Sequence, residues 1–315
     1  MKKIKSNYIF QFLKDKNVSF EVKGDFRSEY RLASIFDPIT NGFYFIVKGA
    51  PPSQIEDSLL LTNSDKTSVE KDNCLVLVNS DPQKIYYSIL RDKFSEKSNG
   101  VISNSSSISE DAEIRGNVQI DPFCVVGDNC VIGDGAIIGS HSVIHEGTTI
   151  GEEVVIGEQS SIGASGMAWT WDEDGKEKIV QPQLGGVTIE DQCRLGAHSV
   201  VVRGSLSENT FIGEATLIAP GVRLGHGTRI GSHTHLANDV TTGGNTRIGE
   251  YCFVGSSAVF RPKVQVADYT IIGAGAVVVR DTTEQERTLM GVPAEEYQTK
   301  EHPSGMPKPP SPKSK

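Results

Sequence analysis

A histidine between two glycines is the residue of this sequence best suited to chemistry. His226 is flanked by Gly225 and Gly227, and histidine can take up and return a proton near neutral pH. Two neighbours without side chains leave room for a ligand beside the imidazole. Eighteen residues later lies Gly244, whose backbone N–H no side chain covers and which could donate to a developing oxyanion. The two positions therefore predict general-base chemistry with oxyanion stabilisation.

The elements that must position these residues follow from a repeat of six. An aliphatic residue stands at every sixth position from Ile102 to Ile162, and the repeat resumes at Ile189. After a one-residue slip at Leu206 it continues to Val278. Helices and simple strands have other periods, whereas a strict hexad is typical of a parallel β-helix with about 18 residues per coil. We therefore predict a mainly β protein whose β-helix has about nine coils, with positions 226 and 244 on neighbouring coils.

The repeat also divides the chain. Residues 1–98 lack it and are predicted to form a small α/β domain, with helices near 7–14 and after Pro82, and strands at 43–47 and 74–78. Residues 99–282 form the β-helix, interrupted by an insertion at 163–186 that carries Trp169 and Trp171. Residues 283–315 are a closing segment and a Pro-rich tail, which from Glu301 is expected to be disordered. Insertions in solenoids often build the binding face.

Composition excludes several functions. The net charge of −9 argues against nucleic acid as a partner. No apolar run is long enough to span a membrane, and the N-terminus lacks the apolar segment of a signal peptide. The five cysteines show no C-x-x-C pairing, which favours a cytoplasmic location.

Two further groups of polar residues bear on ligands. His226, His233 and His235 do not repeat at 18, so they do not stack and no metal site is expected; His141 and His145 are expected at the surface. Several cations on an acidic chain would suit an anionic donor such as CoA or acyl carrier protein. They are Arg229, Arg247, Arg261, Lys263 and Arg280.

The segments Ile212 to Ile230, Leu236-Ala237-Asn238 and Gly243-Gly244 resemble the left-handed β-helix acyltransferases of lipid A biosynthesis. The resemblance is greatest to the UDP-3-O-acylglucosamine N-acyltransferases. The segment from 42 to 47 is similar to the N-terminal uridine-binding domain of that family, and 163–186 is similar to its loop between runs of coils. The resemblance implies a left-handed helix and a homotrimer with active sites between subunits. It also implies His226 as the general base and Gly244 as the oxyanion donor.

The resemblance also indicates a reaction. An N-acyltransferase would move an acyl group from a phosphopantetheine thioester, on CoA or acyl carrier protein, to the amine of a nucleotide-linked amino sugar for lipid A or surface glycan. No bound cofactor is implied. Phe43 or Phe45 would stack on the base, and the insertion with Trp169 and Trp171 would help to hold the sugar nucleotide.

Two alternatives stay open. The last coil, followed by Gly291-Val292-Pro293-Ala294, also resembles acetyl-CoA-dependent sugar acetyltransferases, so an O-acetyltransferase is one alternative and the donor is undecided. The other is a metal-dependent or non-catalytic hexapeptide protein of the γ-carbonic-anhydrase type.

Overall fold

The computed structural model describes residues 1–47, 51–64 and 72–298. Within it the chain divides into two compact units, one ending at Glu96 and the other beginning at Lys97. The Pro-rich tail for which disorder was predicted lies outside the described residues. Among the residues that are described, no helix has the length and apolar character needed to cross a membrane.

The first unit is a six-stranded mixed sheet with two helices. Its elements are β1 (Lys3–Lys5), α1 (Ser6–Asp15), β2 (Phe20–Lys23), β3 (Glu29–Leu32), β4 (Gly42–Ile46), β5 (Leu59–Thr62), β6 (Cys74–Val78) and α2 (Pro82–Phe94). The strand order is β1-β3-β4-β5-β6-β2. Strands β3 to β6 are parallel, and the two edge strands are antiparallel to their neighbours. The helices and strands predicted in this region are confirmed.

Local sequence explains where these elements begin and what they bury. Helix α2 begins after Asp81, whose carboxylate accepts hydrogen bonds from the N–H groups of Gln83 and Lys84, the usual satisfaction of free helix donors. Strand β6 is buried along its whole length, as expected of a parallel strand covered on both faces.

Phe43 is 0% exposed and its ring packs on Tyr86. The prediction that Phe43 stacks on a nucleobase is therefore wrong, because its ring belongs to the core.

The second unit is a parallel β-helix with three faces. The first face has nine strands: Ser107–Ile108, Val125–Val126, Val143–Ile144, Ser161–Ala164, Val200–Val202, Arg223–Leu224, Thr241–Thr242, Val259–Phe260 and Val277–Val278. The second has eight: Glu113–Ile114, Val131–Ile132, Thr148–Ile150, Val187–Ile189, Thr210–Ile212, Arg229–Ile230, Arg247–Ile248 and Gln265–Val266. The third has ten: Gln119–Ile120, Ile137–Ile138, Val155–Ile156, Arg194–Leu195, Leu217–Ile218, His235–Leu236, Phe253–Val254, Ile271–Ile272, Arg287–Gly291 and Ala294–Gln298.

The hexad residues fill the interior of this helix. From Ile120 to Val278 the inward positions form one continuous buried cluster, and each buried aliphatic side chain contributes roughly 1.5–3 kcal/mol. Leu206 is the exception, because it is 54% exposed and lies in a widened turn before Thr210–Ile212. Counting Leu206 as an inward hexad residue was therefore wrong.

The two ends of the β-helix differ. Ile102 is 40% exposed and makes only an isolated bridge to Ile120, so the first coil is open. At the other end Arg287–Gly291 pairs in parallel with Ile271–Ile272, and Ala294–Gln298 folds back on it as an antiparallel strand. This hairpin lies within residues 283–315, where the sequence predicts a closing segment.

Candidate functional site

The candidate site lies at one corner of the β-helix, the turn from the first face to the second, which we call the first corner. Here His226, Gly244, Pro262 and Arg280 follow one another at intervals of 18 residues, one per coil. Neighbouring parallel strands lie roughly 4.8 Å apart. The 163–186 insertion also leaves from the first corner, two coils before His226. The fold therefore brings the insertion and the histidine to the same edge.

Two buried threonines fix the turn that carries His226. The N–H of Gly225 donates to Thr242 Oγ1 at 3.0 Å, and the N–H of Gly227 donates to Thr210 Oγ1 at 2.9 Å. Both threonines are at most 4% exposed. Gly227 has a φ of +65°, a conformation that glycine adopts without strain. The backbone on both sides of His226 is thus anchored to the interior of the coil.

The imidazole itself is partly buried and held by a hydroxyl. Ser205, in the turn of the preceding coil, places its Oγ 3.0 Å from His226 Nδ1. The opposite nitrogen, Nε2, points along the stack towards Gly244. On the backbone, the N–H of Asn245 donates to the His226 carbonyl at 2.6 Å. One ring nitrogen therefore has a protein partner, and the other is directed at the neighbouring coil.

Glycine is required at position 244 by this close approach. A Cβ there would lie 2.6 Å from His226 Cδ2 and 2.7 Å from Cε1, and it would overlap Nε2. Within the described part of the chain the N–H of Gly244 is not committed to a backbone hydrogen bond. It is therefore available to a ligand held beside the imidazole.

The widened turn at residues 203–209 brings a carboxylate to this corner. Glu208 accepts hydrogen bonds from the N–H groups of Ser205, at 2.8 Å, and Leu206, at 3.2 Å. The hydrogen bond from its own backbone, together with those two, lowers the pKa of Glu208, and His226 contributes electrostatically.

The predicted cations fall into two groups. Arg229 and Arg247 are register neighbours on the second face, and both line a cavity of about 350 Å³ that also includes Phe211 and Gln265. The guanidinium of Arg229 lies 4.5 Å from the centre of the Phe211 ring. The remaining three are exposed on later coils of the first corner and lie outside this cavity: Arg261, Lys263 and Arg280.

The insertion forms a two-stranded hairpin, Ala168–Trp171 paired with Lys178–Gln181. Trp169 and Trp171 pack edge to face, and the Lys178 ammonium lies 4.5 Å from the Trp169 ring centre. Both tryptophans are about half exposed, at 48% and 50%. Their faces are therefore accessible to a ligand. In the first unit, Phe45 is half-buried against Tyr86 and Tyr87, so only part of its ring is free.

The other histidines lie elsewhere. His233 stacks on Tyr251, and His235 packs against Phe253 on the third face. Over residues 1–47, 51–64 and 72–298, no three His, Cys, Asp or Glu side chains converge as metal ligands. His145 is partly buried, which lowers its pKa, and its Nε2 lies 3.0 Å from Ser161 Oγ.

Sequence reasoning missed four residues that support His226. Thr242 carried a usable signal, since it is the one polar residue among the inward hexad positions of the run around His226. The six-residue period gives no indication that Thr210 or Ser205 supports His226. Glu208 lies 18 residues before His226, and that spacing alone does not reveal its hydrogen bonds.

Comparison with known proteins agrees with this architecture. Residues 111–146 and 245–280 match the family described as bacterial transferase hexapeptide (six repeats). Both matched ranges lie within the β-helix. No curated protein matches it by sequence.

Solved structures of acyltransferases share the fold of this chain. A UDP-N-acetylglucosamine O-acyltransferase from Moraxella catarrhalis is 24% identical with a TM-score of 0.55, over 62% of this chain and 73% of that one. The Francisella novicida UDP-N-acetylglucosamine acyltransferase is 25% identical with a TM-score of 0.55, over 62% and 68%. The Bacteroides fragilis UDP-N-acetylglucosamine acyltransferase is 23% identical with a TM-score of 0.57, over 62% and 74%.

Proposed function

We propose that this chain is an acyltransferase that moves an acyl group from a phosphopantetheine thioester to a nucleotide-linked amino sugar. The observation that carries the proposal is the pairing of His226 Nε2 with Gly244 at the first corner. The pairing provides a base and an unobstructed N–H donor side by side. The likeness to the Francisella UDP-N-acetylglucosamine acyltransferase supports the substrate class.

The reaction needs one proton carrier. His226 Nε2 takes the proton from the sugar amine as the nitrogen attacks the thioester carbonyl carbon. The N–H of Gly244 donates to the oxygen that becomes negative in the tetrahedral intermediate. When that intermediate collapses, the C–S bond breaks and the thiolate takes the proton from the imidazolium. The products are the acylated sugar and the free thiol.

The surrounding residues suit the remaining parts of the substrates. Arg229 and Arg247 supply positive charge for phosphates in the second-face cavity, where bidentate hydrogen bonds from guanidinium are favourable. Trp169 and Trp171 offer apolar faces for the sugar nucleotide. The donor is CoA or acyl carrier protein, and the shallow corner is completed by a neighbouring subunit in a homotrimer. We expect the protein to act in the cytoplasm.

A hydroxyl acceptor is the second candidate. The Francisella enzyme that resembles this chain acts on UDP-N-acetylglucosamine, a sugar whose nitrogen is already acylated. The same base and oxyanion donor serve a hydroxyl nucleophile equally well, because only the atom that loses its proton changes.

Thiol release tests the proposal and separates these candidates. The purified protein is mixed with acetyl-CoA or 3-hydroxyacyl carrier protein, and with UDP-glucosamine, a UDP-3-O-acylglucosamine or UDP-N-acetylglucosamine. We expect acceptor-dependent thiol release with at least one pair, and product mass then distinguishes an amide from an ester. Thiol release that never exceeds the rate without acceptor, across all pairs, would contradict the proposed function.

A further inference from the structure

The far end of the 163–186 insertion reaches the imidazole through a serine. The N–H of Leu184 donates to the Ser205 carbonyl, and the N–H of Gly185 donates to the Gly204 carbonyl, each at 3.0 Å. These bonds bring Gln183, which is only 4% exposed, against Ser205. The Ser205 hydroxyl donates to Gln183 Oε1 at 3.4 Å.

The direction of this chain of hydrogen bonds determines where His226 carries its proton. A serine hydroxyl has one proton and two lone pairs. The Ser205–His226 contact of 3.0 Å takes its direction from the imidazole tautomer. With the Ser205 proton on the 3.4 Å contact to Gln183 Oε1, Ser205 Oγ accepts, and the His226 contact is Nδ1–H to Oγ. The neutral imidazole must leave Nε2 unprotonated, which is the state that a general base at Nε2 requires.

We propose that Ser205 and Gln183 are positioning residues that hold His226 in the Nδ1–H tautomer and thereby make Nε2 the base. The inference rests on the proposed function for its catalytic consequence, although the tautomer can be measured without any substrate. It gives the insertion a second role beside substrate contact. Residues 183–186 of the insertion would thus help to position His226, the base, which lies two coils further along.

The geometry explains why both partners are needed. Ser205 is held from its backbone side by Glu208, so its Oγ has a fixed place beside Nδ1. Without Gln183 the hydroxyl can rotate and donate to Nδ1, which would move the imidazole proton to Nε2. Among the described residues, Gln183 Nε2 has no hydrogen-bond partner, and Gln183 Oε1 contacts the Ser205 hydroxyl.

The test measures the tautomer and the rate separately. In the full-length protein labelled with ¹⁵N-histidine, the ring nitrogens of neutral His226 are assigned by comparison with His226→Ala. We expect a protonated Nδ1 and an unprotonated Nε2. In Ser205→Ala and Gln183→Leu we expect the proton to shift towards Nε2 and kcat to fall about tenfold, the effect of one lost hydrogen bond, with KM little changed. Ser205→Thr keeps the hydroxyl and should restore both readouts.

A matched pair elsewhere provides the control. Ser161 Oγ contacts His145 Nε2 at 3.0 Å, so Ser161→Ala should alter the His145 signals and leave those of His226 unchanged. An unprotonated Nδ1 in the wild-type protein, or His226 signals that do not respond to Ser205→Ala, would overturn the inference whatever the activity. If the wild-type protein gives the expected signals but His226→Ala keeps full activity, the proposed function is refuted instead. Ser205 and Gln183 would then have only a structural role.

Discussion

Replacing Gly244 by alanine tests the approach of the imidazole to the neighbouring coil. An added Cβ would lie 2.6 Å from His226 Cδ2, whereas ordinary van der Waals contact begins at 3.4 Å. The ring must therefore move by roughly 1 Å, and a misplacement of that size in a reacting group can cost about 10²-fold in rate. Alanine keeps the backbone N–H, so the substitution moves the base and spares the oxyanion donor.

We therefore expect Gly244→Ala to lower kcat about 10²-fold, about 2.7 kcal/mol in barrier, with little change in stability. Stability should change little because position 244 has no left-handed φ that alanine would strain. The group that must move is the His226 imidazole, which is the end of a side chain. The assay is thiol release at saturating substrates, with Tm measured on the same preparations. Gly273→Ala is the matched control on another corner, because the atom nearest to its Cβ would be Met290 Cγ at 3.1 Å, followed by the Leu289 carbonyl oxygen at 3.5 Å. Wild-type kcat in Gly244→Ala, or a loss that follows a large fall in Tm, would refute the reasoning.

Three further outcomes are expected. Burial lowers the pKa of His145 and of His235, so on acidification the unfolded chain binds protons that the folded chain does not, and the free energy of unfolding should be full above about pH 6.5 and fall below it. Urea unfolding from pH 7.5 to 5.5 measures this dependence, and His235→Asn should make it shallower. A free energy of unfolding that rises as the pH falls would contradict the prediction. Arg247→Ala should raise KM for the phosphate-bearing substrate about tenfold, the effect of a hydrogen bond to a charged group, with little change in kcat, whereas the same KM change in Arg194→Ala on the third face would indicate a nonspecific charge effect. Light scattering should give three times the chain mass of 34.1 kDa, and a fully active monomer would exclude a site that needs a neighbouring subunit.

The fold was predictable because its determinant is local and periodic. A residue that points inward every six positions identifies the coil. Because residues 18 positions apart then lie on neighbouring coils, the repeat also predicts that Arg229 and Arg247 are adjacent, and the structure pairs them in register. The widened turn at 203–209 was not predictable in the same way. Leu206 is aliphatic and occurs near the expected phase, but the period alone carries no information on whether a turn has extra residues.

The site was predictable only in part. The glycines around His226 indicate open space at a corner, and the structure puts Gly244 beside its ring. Ser205 and Gln183 are joined to His226 by side-chain contacts across an insertion, and no fixed spacing encodes such contacts. Phe43 illustrates the opposite error, since an aromatic residue in a buried strand has the same sequence appearance as one that faces a ligand.

The central claim is that His226 is the base of an acyl transfer, and His226→Ala tests it most directly. Thiol release is measured with the best donor and acceptor pair, together with the oligomeric state and Tm of the variant. We predict a fall in kcat of about 10²–10⁴-fold, the usual contribution of a general base, in a protein that remains folded and assembled. A folded His226→Ala protein with near-normal turnover would contradict the account.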